Sequence, residues 1–460
     1  MLYSCSNDAI IAQCTPQGSG AIALLRLSGD NAFQIANAIS KLPGNKIIST
    51  LPTHTIHYGW VVDNNGTRID QVLFLLMRAP HTFTGDNTIE ITCHNNPFII
   101  QNIIQAALTA GARLAQEGEF SRRAVGNNKI DIIQAEAIND LIHANTQLAL
   151  KQSLSQLEGS FSHWITTIET QLIKALALSD ASFEFLDEEN MEFNIQINEI
   201  INSVITTITN LKNTFNQQQQ IRNGIRIAII GSVNAGKSSL FNALLNQERA
   251  IVTNIAGTTR DAIEAGLYKN NNYWTLIDTA GLRTTDDIVE QMGIARSHAE
   301  AQKADIILLV FDGSQQLTSA ENTVYQNLLD TYADKIIIVS NKADLPQQPI
   351  SLITTQSTYC VSTTDKKSIN RLESAIQNKI SSLFASIGSP FLLNQRHYNN
   401  LLSLESKLTA TKKLLEPHKT SYELVSYHLQ DALTSLSELT GKTISEAGMD
   451  AVFREFCVGK

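Results

Sequence analysis

Apolar and polar positions alternate with three different rhythms along the chain, and each rhythm predicts a different kind of element. From the start to about residue 120 the apolar bursts are short: DAIIAQC, AIALLRLSG, HTIHYGWVV, QVLFLLM and TIEITCH. Runs of this length, bounded by turn-forming residues, predict strands. Two stretches carry helical spacing instead, NAFQIANAIS after the second run and PFIIQNIIQAALTAGA after the last. Strands and helices mixed in this way predict an α+β domain.

The rhythm changes near Lys129. From Asp131 to Ile221 there is no proline and a single glycine, Gly159. Apolar residues recur at helical spacing, as in AEAINDLIHA and IETQLIKALALS, which predicts long helices. The acidic run FEFLDEENMEF interrupts them and reads as a solvated bend. Four glutamines at 217–220 read as a short polar linker. Beyond them the strand-like runs IRIAII, YWTLID, DIILLVF and KIIIVS alternate with helical segments. That alternation predicts a mostly parallel sheet with crossover helices. Helical spacing returns after about residue 390, in RHYNNLLSLESKLTATKKLLE and YELVSYHLQDALTSLSELTG. The expected chain is therefore multidomain, α/β and α. An α+β domain spans 1–120, a helical domain 121–217 and 387–460, and an α/β unit inserted in the latter spans 218–386. Neighbouring domain termini permit such an insertion.

Composition narrows the class. The 460 residues allow about three domains. At 43% hydrophobic and 17% charged, they describe an ordinary globular chain rather than a disordered one. The formal net charge of −9 makes the surface as a whole unattractive to nucleic acid, so any RNA contact needs a local basic patch. Five scattered cysteines with no C-x-x-C pair argue against a disulfide framework and against zinc, and fit a reducing cytosol. The opening MLYSCSNDAI does not read as a signal peptide, and the longest apolar runs fall short of a membrane span. A soluble, cytoplasmic protein is expected.

Chemistry enters with GSVNAGKSSL at 231–240, which follows the strand-like IRIAII and precedes the helical FNALL. It matches G-x-x-x-x-G-K-S, whose backbone N–H groups face phosphate oxygens at a helix N-terminus. Asn234, Ala235, Gly236, Lys237, Ser238 and Ser239 are then nucleotide contacts. Lys237 is expected at the β and γ phosphates, with the Ser238 hydroxyl on Mg²⁺. DTAG ends the run YWTLI and offers Asp278 on the Mg²⁺ side, with Thr279, Ala280 and Gly281 beside the γ-phosphate. NKAD supplies Asn341, Lys342, Ala343 and Asp344. A carboxylate at Asp344 accepts from guanine N1–H and the exocyclic amine, which adenine does not present, so the order of motifs is that of a GTPase. Between the first two motifs, Thr253, Asn254, Ile255, Ala256, Gly257, Thr258 and Thr259 form a candidate switch whose Thr259 closes on Mg²⁺. Leu282 follows DTAG and cannot orient water as a glutamine does. Asn234, as ligand of a monovalent cation, and Glu290, acting on water, are the candidates to compensate.

Taken together, IIAQCTPQGSGAIALLRLSG, HTFTGDNTIEITCH, GEFSRRAVGNNKIDIIQAEAINDLI, NIAGTTRD, DTAGLR and the final FCVGK resemble the MnmE (TrmE) family, GTPases of tRNA wobble-uridine modification. The resemblance covers nearly the whole chain. It implies a Ras-like GTPase domain inside the helical domain, and an N-terminal domain that binds 5-formyl- or 5,10-methylene-tetrahydrofolate and forms a homodimer. It also implies K⁺-dependent hydrolysis, and a flavoprotein partner, MnmG, in a heterotetramer. With that partner the family adds an aminomethyl or carboxymethylaminomethyl group to C5 of uridine 34. Carried over by position, Arg26, Glu90, Lys129 and Lys460 match folate contacts. Asn234, Thr253, Ile255 and Thr258 match K⁺ ligands, and Glu290 the water-orienting acid. Ser362, Thr363 and Thr364 match the last guanine loop.

The chain departs from the family pattern in places. GSGA at 18–21 stands for G-R-G-G, and HNNP at 94–97 for H-G-G-P, where asparagine at left-handed φ is expected to preserve the turn. QEGEF at 116–120 replaces R-P-G-E-F, Val233 stands where proline is common, and STTDKK where S-A-x-x-G is usual. A regulatory or ribosome-assembly GTPase without modification activity is the alternative reading. One such group carries a G-x-x-G loop in a C-terminal domain, and none occurs here after residue 390. The tail FREFCVGK discriminates between the two. A helix from about Asp450 is expected to deliver Cys457 and Lys460 to the folate site. There the Cys457 thiol either serves as nucleophile or acid in the modification step or packs on the folate ring.

Overall fold

The computed structural model describes residues 8–182, 189–245, 263–269, 272–278, 299–349, 352, 356–384, 389–415 and 421–460. The chain divides into two compact units, one of residues 1–139, 156–205 and 399–460, the other of 140–155 and 206–398.

In the first unit seven strands form a sheet: β1 (Ile10–Gln13), β2 (Ile22–Ser28), β3 (Ser40–Lys41), β4 (Thr55–Val62), β5 (Arg68–Met77), β6 (Thr88–His94) and β7 (Arg113–Leu114). Their order is β3-β4-β5-β6-β2-β1-β7, antiparallel throughout except for β1 with β7. Each of the five short apolar bursts carries a strand. Period-two alternation sends Leu25, Leu27, Val72, Phe74, Ile89 and Ile91 to one face, into a core with helices Ala32–Ala38 and Pro97–Thr109. The opposite face exposes Ile22, Ile56, Tyr58 and Leu73, and Tyr58 stands opposite Leu73 in register.

The helical part of this unit pairs Ser160–Ala181 with Tyr422–Thr440. Phe161, Ile165, Ile168 and Leu172 recur on one stripe, as do Val425, Leu429 and Leu436 on the other helix, and all are buried. Each such side chain contributes about 1.5–3 kcal/mol by leaving water. Polar groups fix the rotation between the two: Ser426 Oγ donates to Asp180 Oδ1 at 2.7 Å and lies 2.9 Å from Ser179 Oγ.

The second unit is built on β8 (Ile225–Gly231), β9 (Ile263–Lys269), β10 (Asn272–Asp278), β11 (Ile306–Asp312), β12 (Ile336–Asn341) and β13 (Thr358–Cys360), in the order β13-β12-β11-β8-β10-β9. All pairings are parallel except β9 with β10. Both faces are covered, which is why the central strands read as unbroken apolar runs. Ile227, Ile229 and Leu308 meet helices Lys237–Leu245 and Lys366–Phe384, while Ile230, Leu309 and Ile338 meet helix Ser319–Tyr332.

The glutamine run is not a linker. Residues Phe215–Asn223 are helical, and Gln218 is fully buried. Gln218 Oε1 accepts from Leu393 N at 2.7 Å, Gln219 Nε2 donates to Leu393 O at 3.0 Å, and Gln220 Nε2 donates to Asp305 Oδ1 at 2.8 Å. Side-chain amides that find partners this far along the chain overcome the polar composition, which carried no sign of them. Part of the acidic run, 183–188, lies outside the described residues. Among the described residues no helix is long and apolar enough to cross a membrane.

Candidate functional site

Two clusters of the expected residues form, one in each unit. In the second unit β8 ends at Gly231 and the helix Lys237–Leu245 begins six residues on, so the loop between them turns within a few residues. Asn234 and Gly236 take left-handed φ of 64° and 86°. Asparagine tolerates that region better than most residues, and Gly236 has a second reason: a Cβ there would run into the Asn341 amide. Ala235 is buried under the loop, while Asn234, Ser238 and Ser239 are exposed. Lys237 is 8% exposed, and its Nζ donates to Gly231 O at 2.8 Å and Ser232 O at 2.7 Å. The ammonium is thus held over the loop whose N–H groups and helix N-terminus favour anions.

β12 delivers the residues expected at the base to the same place. Asn341 Nδ2 donates to Ala235 O at 2.9 Å, joining the end of β12 to the loop. Asn341 Oδ1 is buried and accepts from no group among the described residues. Such an acceptor costs about 1–3 kcal/mol unless a ligand satisfies it, so the site suits a polar occupant. Lys342, at φ 62°, turns the chain and ion-pairs through Nζ with Asp312 Oδ2 at 2.6 Å. Burial pushes the Asp312 carboxyl up, but the hydrogen bonds from Lys342 and Ser314 outweigh it and hold the group below the usual range. Asp344 Oδ1 accepts from Ser362 Oγ at 2.8 Å, and Ser362 Oγ lies 2.9 Å from Thr364 Oγ1. Ala343 N donates to Val361 O at 3.0 Å, fastening the NKAD turn to the loop that holds Ser362, Thr363 and Thr364. Two segments distant in sequence thereby present one carboxylate with its orientation fixed.

Asp278 is the last residue of β10, in register with Ile229 of β8. Thr253, Asn254, Ile255, Ala256, Gly257, Thr258 and Thr259, together with Thr279, Ala280, Gly281, Leu282 and Glu290, lie outside the described residues.

The second cluster lies in the first unit. Arg26 on β2 and Glu90 on β6 are opposite in register, with Arg26 Nε donating to Glu90 Oε1 at 2.9 Å. The guanidinium carbon is 5.4 Å from the Phe83 ring centroid and 5.5 Å from that of Phe120. A carboxylate and a cation beside the half-buried Phe83 ring suit a flat heterocycle with amino groups, with the fully buried Phe120 supporting the guanidinium from the core. The tail reaches the same place. Phe120 N donates to Lys460 O at 3.1 Å, Glu117 bridges to Val458 as in an antiparallel sheet, and Cys14 Sγ donates to Gly459 O at 3.2 Å. Burial pushes the Cys14 thiol up, against the charges of Arg26 and Lys460 and with that of Glu90. These three expected residues therefore act on one sulfur.

Two expectations about this cluster are corrected. The helix ends at Phe453, so it does not itself carry Cys457 and Lys460. The last residues close a turn, with Lys460 N donating to Cys457 O at 3.2 Å, and bond to the segment 117–120. Cys457 is exposed. The asparagines of HNNP do not supply left-handed φ: Asn96, at φ −122°, caps the helix Pro97–Thr109, its side chain accepting from Phe98 N at 2.9 Å. Asn95 Nδ2 donates to Gly18 O at 2.8 Å, so the two departures from the glycine pattern meet and fasten each other. Asn128, at φ 53°, does take the left-handed turn, and places the exposed Lys129 just beyond the helix Glu119–Gly126. Asn127 Nδ2 donates to Thr84 O at 2.7 Å, tying that corner to the loop bearing Phe83. Sequence reasoning singled out none of Cys14, Phe83 and Phe120, although each lies inside one of the stretches that carry the resemblance.

Comparison with known proteins places these clusters in context. The family description "GTP-binding protein TrmE N-terminus" matches residues 9–129, and "MnmE helical domain" matches residues 132–457. The tRNA modification GTPase MnmE of Lachnoclostridium phytofermentans is 35% identical over 461 residues, covering 99% of this chain and 100% of that one. Those of Acetivibrio thermocellus and Geobacillus thermodenitrificans are each 36% identical, covering 99% and 98% of this chain and 99% of each relative. Among solved structures, the G domain of the T. maritima FeoB iron transporter aligns with 35% of this chain and 98% of its own. Its TM-score is 0.25 and its identity 22%, a likeness too slight to argue from.

Proposed function

The chain belongs to the MnmE family of tRNA modification GTPases, and on that premise we propose that it couples GTP hydrolysis to modification of C5 of wobble uridine 34. The one-carbon donor is a tetrahydrofolate derivative, and a flavoprotein of the MnmG type is the partner. The observation that carries this beyond a GTPase switch is the seating of the tail. The strip 457–460 bonds to Cys14 and Phe120, and Phe120 shares Arg26 with Phe83. A molecule that only switched would need no such assembly 220 residues beyond its phosphate loop.

In this reading Arg26, Glu90, Lys129 and Lys460 hold the folate, Glu90 taking the amino-pyrimidine edge and the cations its carboxylates. Asn234, Ala235, Gly236, Lys237, Ser238 and Ser239 hold the phosphates, and Asn341, Lys342, Asp344 and the loop Ser362–Thr364 hold guanine. Ser238 and Thr259 would hold Mg²⁺, beside Asp278. Asn234, Thr253, Ile255 and Thr258 would hold K⁺, which supplies positive charge to the transition state where an arginine otherwise does. Glu290 orients water. Residues 1–120 form the folate domain, 121–217 and 387–460 the helical domain, and 218–386 the GTPase domain. The exposed apolar sheet face of Ile22, Ile56, Tyr58 and Leu73 supports a homodimer formed through the first of these.

Deleting the gene and analysing wobble nucleosides by mass spectrometry tests the proposal. The modified uridine should disappear and return with the wild-type chain. Cys457→Ser should restore GTPase activity to within two-fold but leave the modification reduced. Unchanged tRNA in the deletion strain overturns the reading.

A further inference from the structure

The phosphate-binding loop is fastened at its entry by a side chain outside the motif. Tyr325 lies on the helix Ser319–Tyr332 and is 3% exposed. Its hydroxyl accepts from Ser232 N at 2.5 Å and donates to Val310 O at 3.3 Å. Val310 is the β11 residue in register with Gly231 of β8. The hydroxyl therefore spans the step between the end of the sheet and the first residue of the loop. One turn earlier on the same helix, Glu321 forms a capping box with Thr318, and the Thr318 backbone, with a smaller effect from the Ser232 side chain, holds its carboxyl below the ordinary value. The Ser232 carbonyl accepts from Lys237 Nζ. Ser232 thus joins the ammonium expected at the phosphates to the helix Ser319–Tyr332.

We propose that Tyr325 is a positioning residue that holds the phosphate loop closed on its nucleotide, acting through Ser232 and Lys237 and governing nucleotide retention rather than bond cleavage. The argument is geometric. Among the described residues, Tyr325 bonds to none of the expected phosphate or base contacts. Its hydroxyl satisfies a half-buried loop N–H that otherwise would have to seek another partner, and a loop that re-forms its bonds shifts the lysine it carries. Small displacements of such groups are costly because binding geometry tolerates little error. Phenylalanine fills the same volume and removes only the two bonds.

The test uses full-length chain with Y325F, comparing dissociation of fluorescent GDP and GTP, steady-state hydrolysis, and melting without nucleotide. GDP dissociation and the KM for GTP should each rise about 5-fold, the scale expected when the loop loses its bond to the tyrosine hydroxyl, with kcat within two-fold. Glu321→Ala, which loosens Ser232 from the same helix, should speed dissociation about 2–3-fold. A tyrosine that serves only the core would lower the melting temperature and leave dissociation unchanged. Dissociation within experimental error of wild type in both variants overturns the proposal. Binding of GDP by the wild-type chain, measured in parallel, reports on the guanine site independently.

Discussion

The phosphate loop and the seated tail are both candidate binding clusters, yet they are built over different distances along the chain. The first needs residues 231–239 in sequence, one strand before and one helix after, with NKAD brought in by the neighbouring strands. The second joins residues 14, 26, 83, 90, 120 and 457–460, and its Cys14–Gly459 bond closes a separation of 445 residues. A site written in one stretch is shaped mainly by local backbone geometry. A site written across the chain depends on every element between its parts, and is vulnerable at each.

The sharpest way to separate the two clusters is Asp344→Asn. Ser362 fixes the Asp344 carboxylate at 2.8 Å, so the amide would present a donor where guanine also donates. Affinity for GTP should fall on the order of 10⁴-fold and xanthosine triphosphate should be gained, read by nucleotide titration. Binding of a tetrahydrofolate derivative should be unchanged. Retained GTP affinity would remove NKAD from base recognition.

The same contrast explains what the sequence made legible. The sheet of the second unit, its phosphate loop and its strand-end carboxylates were readable because apolar runs and motifs coincide there. The alternation of β2 and β6 showed that Arg26 and Glu90 share a rhythm with exposed positions, but not that their strands are neighbours. The register that pairs them is a property of the folded sheet. Tyr325 sat unmarked in an amphipathic helix, where buried tyrosine normally means core. The glutamines at 217–220 failed for a related reason, since amide partners such as Leu393 lie about 175 residues away. Local chemistry was legible and long-range hydrogen bonding was not.

Gly459→Val tests the long-range cluster at its narrowest point. Gly459 has φ 97°, and a Cβ there would stand 2.5 Å from Gln13 O, so a β-branched residue forces the strip out. Affinity for a tetrahydrofolate derivative should fall about 10–100-fold by calorimetry, as the charge-assisted contacts expected of Lys460 are lost. The kcat/KM for GTP should stay within two-fold. Unchanged folate affinity would take the tail out of that site.

The smallest effect expected concerns the support beneath the tail. Glu119, on the segment that Lys460 bonds, accepts from Arg113 Nη1 at 2.8 Å and from Gln116 N at 2.9 Å. Burial pushes its carboxyl up, but the bonds from Arg113 and Gln116 and the charge of Arg123 outweigh it and hold the group below its ordinary value. The folded pKa is thus lower than the unfolded value near about 4.3. The carboxylate's contribution is therefore whole above about pH 5 and is lost as pH falls through the folded value. Glu119→Gln should cost about 1–2 kcal/mol in urea unfolding at pH 7, and the gap from wild type should narrow steadily between about pH 5 and pH 3. A gap that persists at the acid end would mean that the loss comes from packing and not from charge. GTP affinity should stay constant across the pair, because the described partners of this carboxylate, Arg113, Gln116 and Arg123, lie outside the phosphate loop.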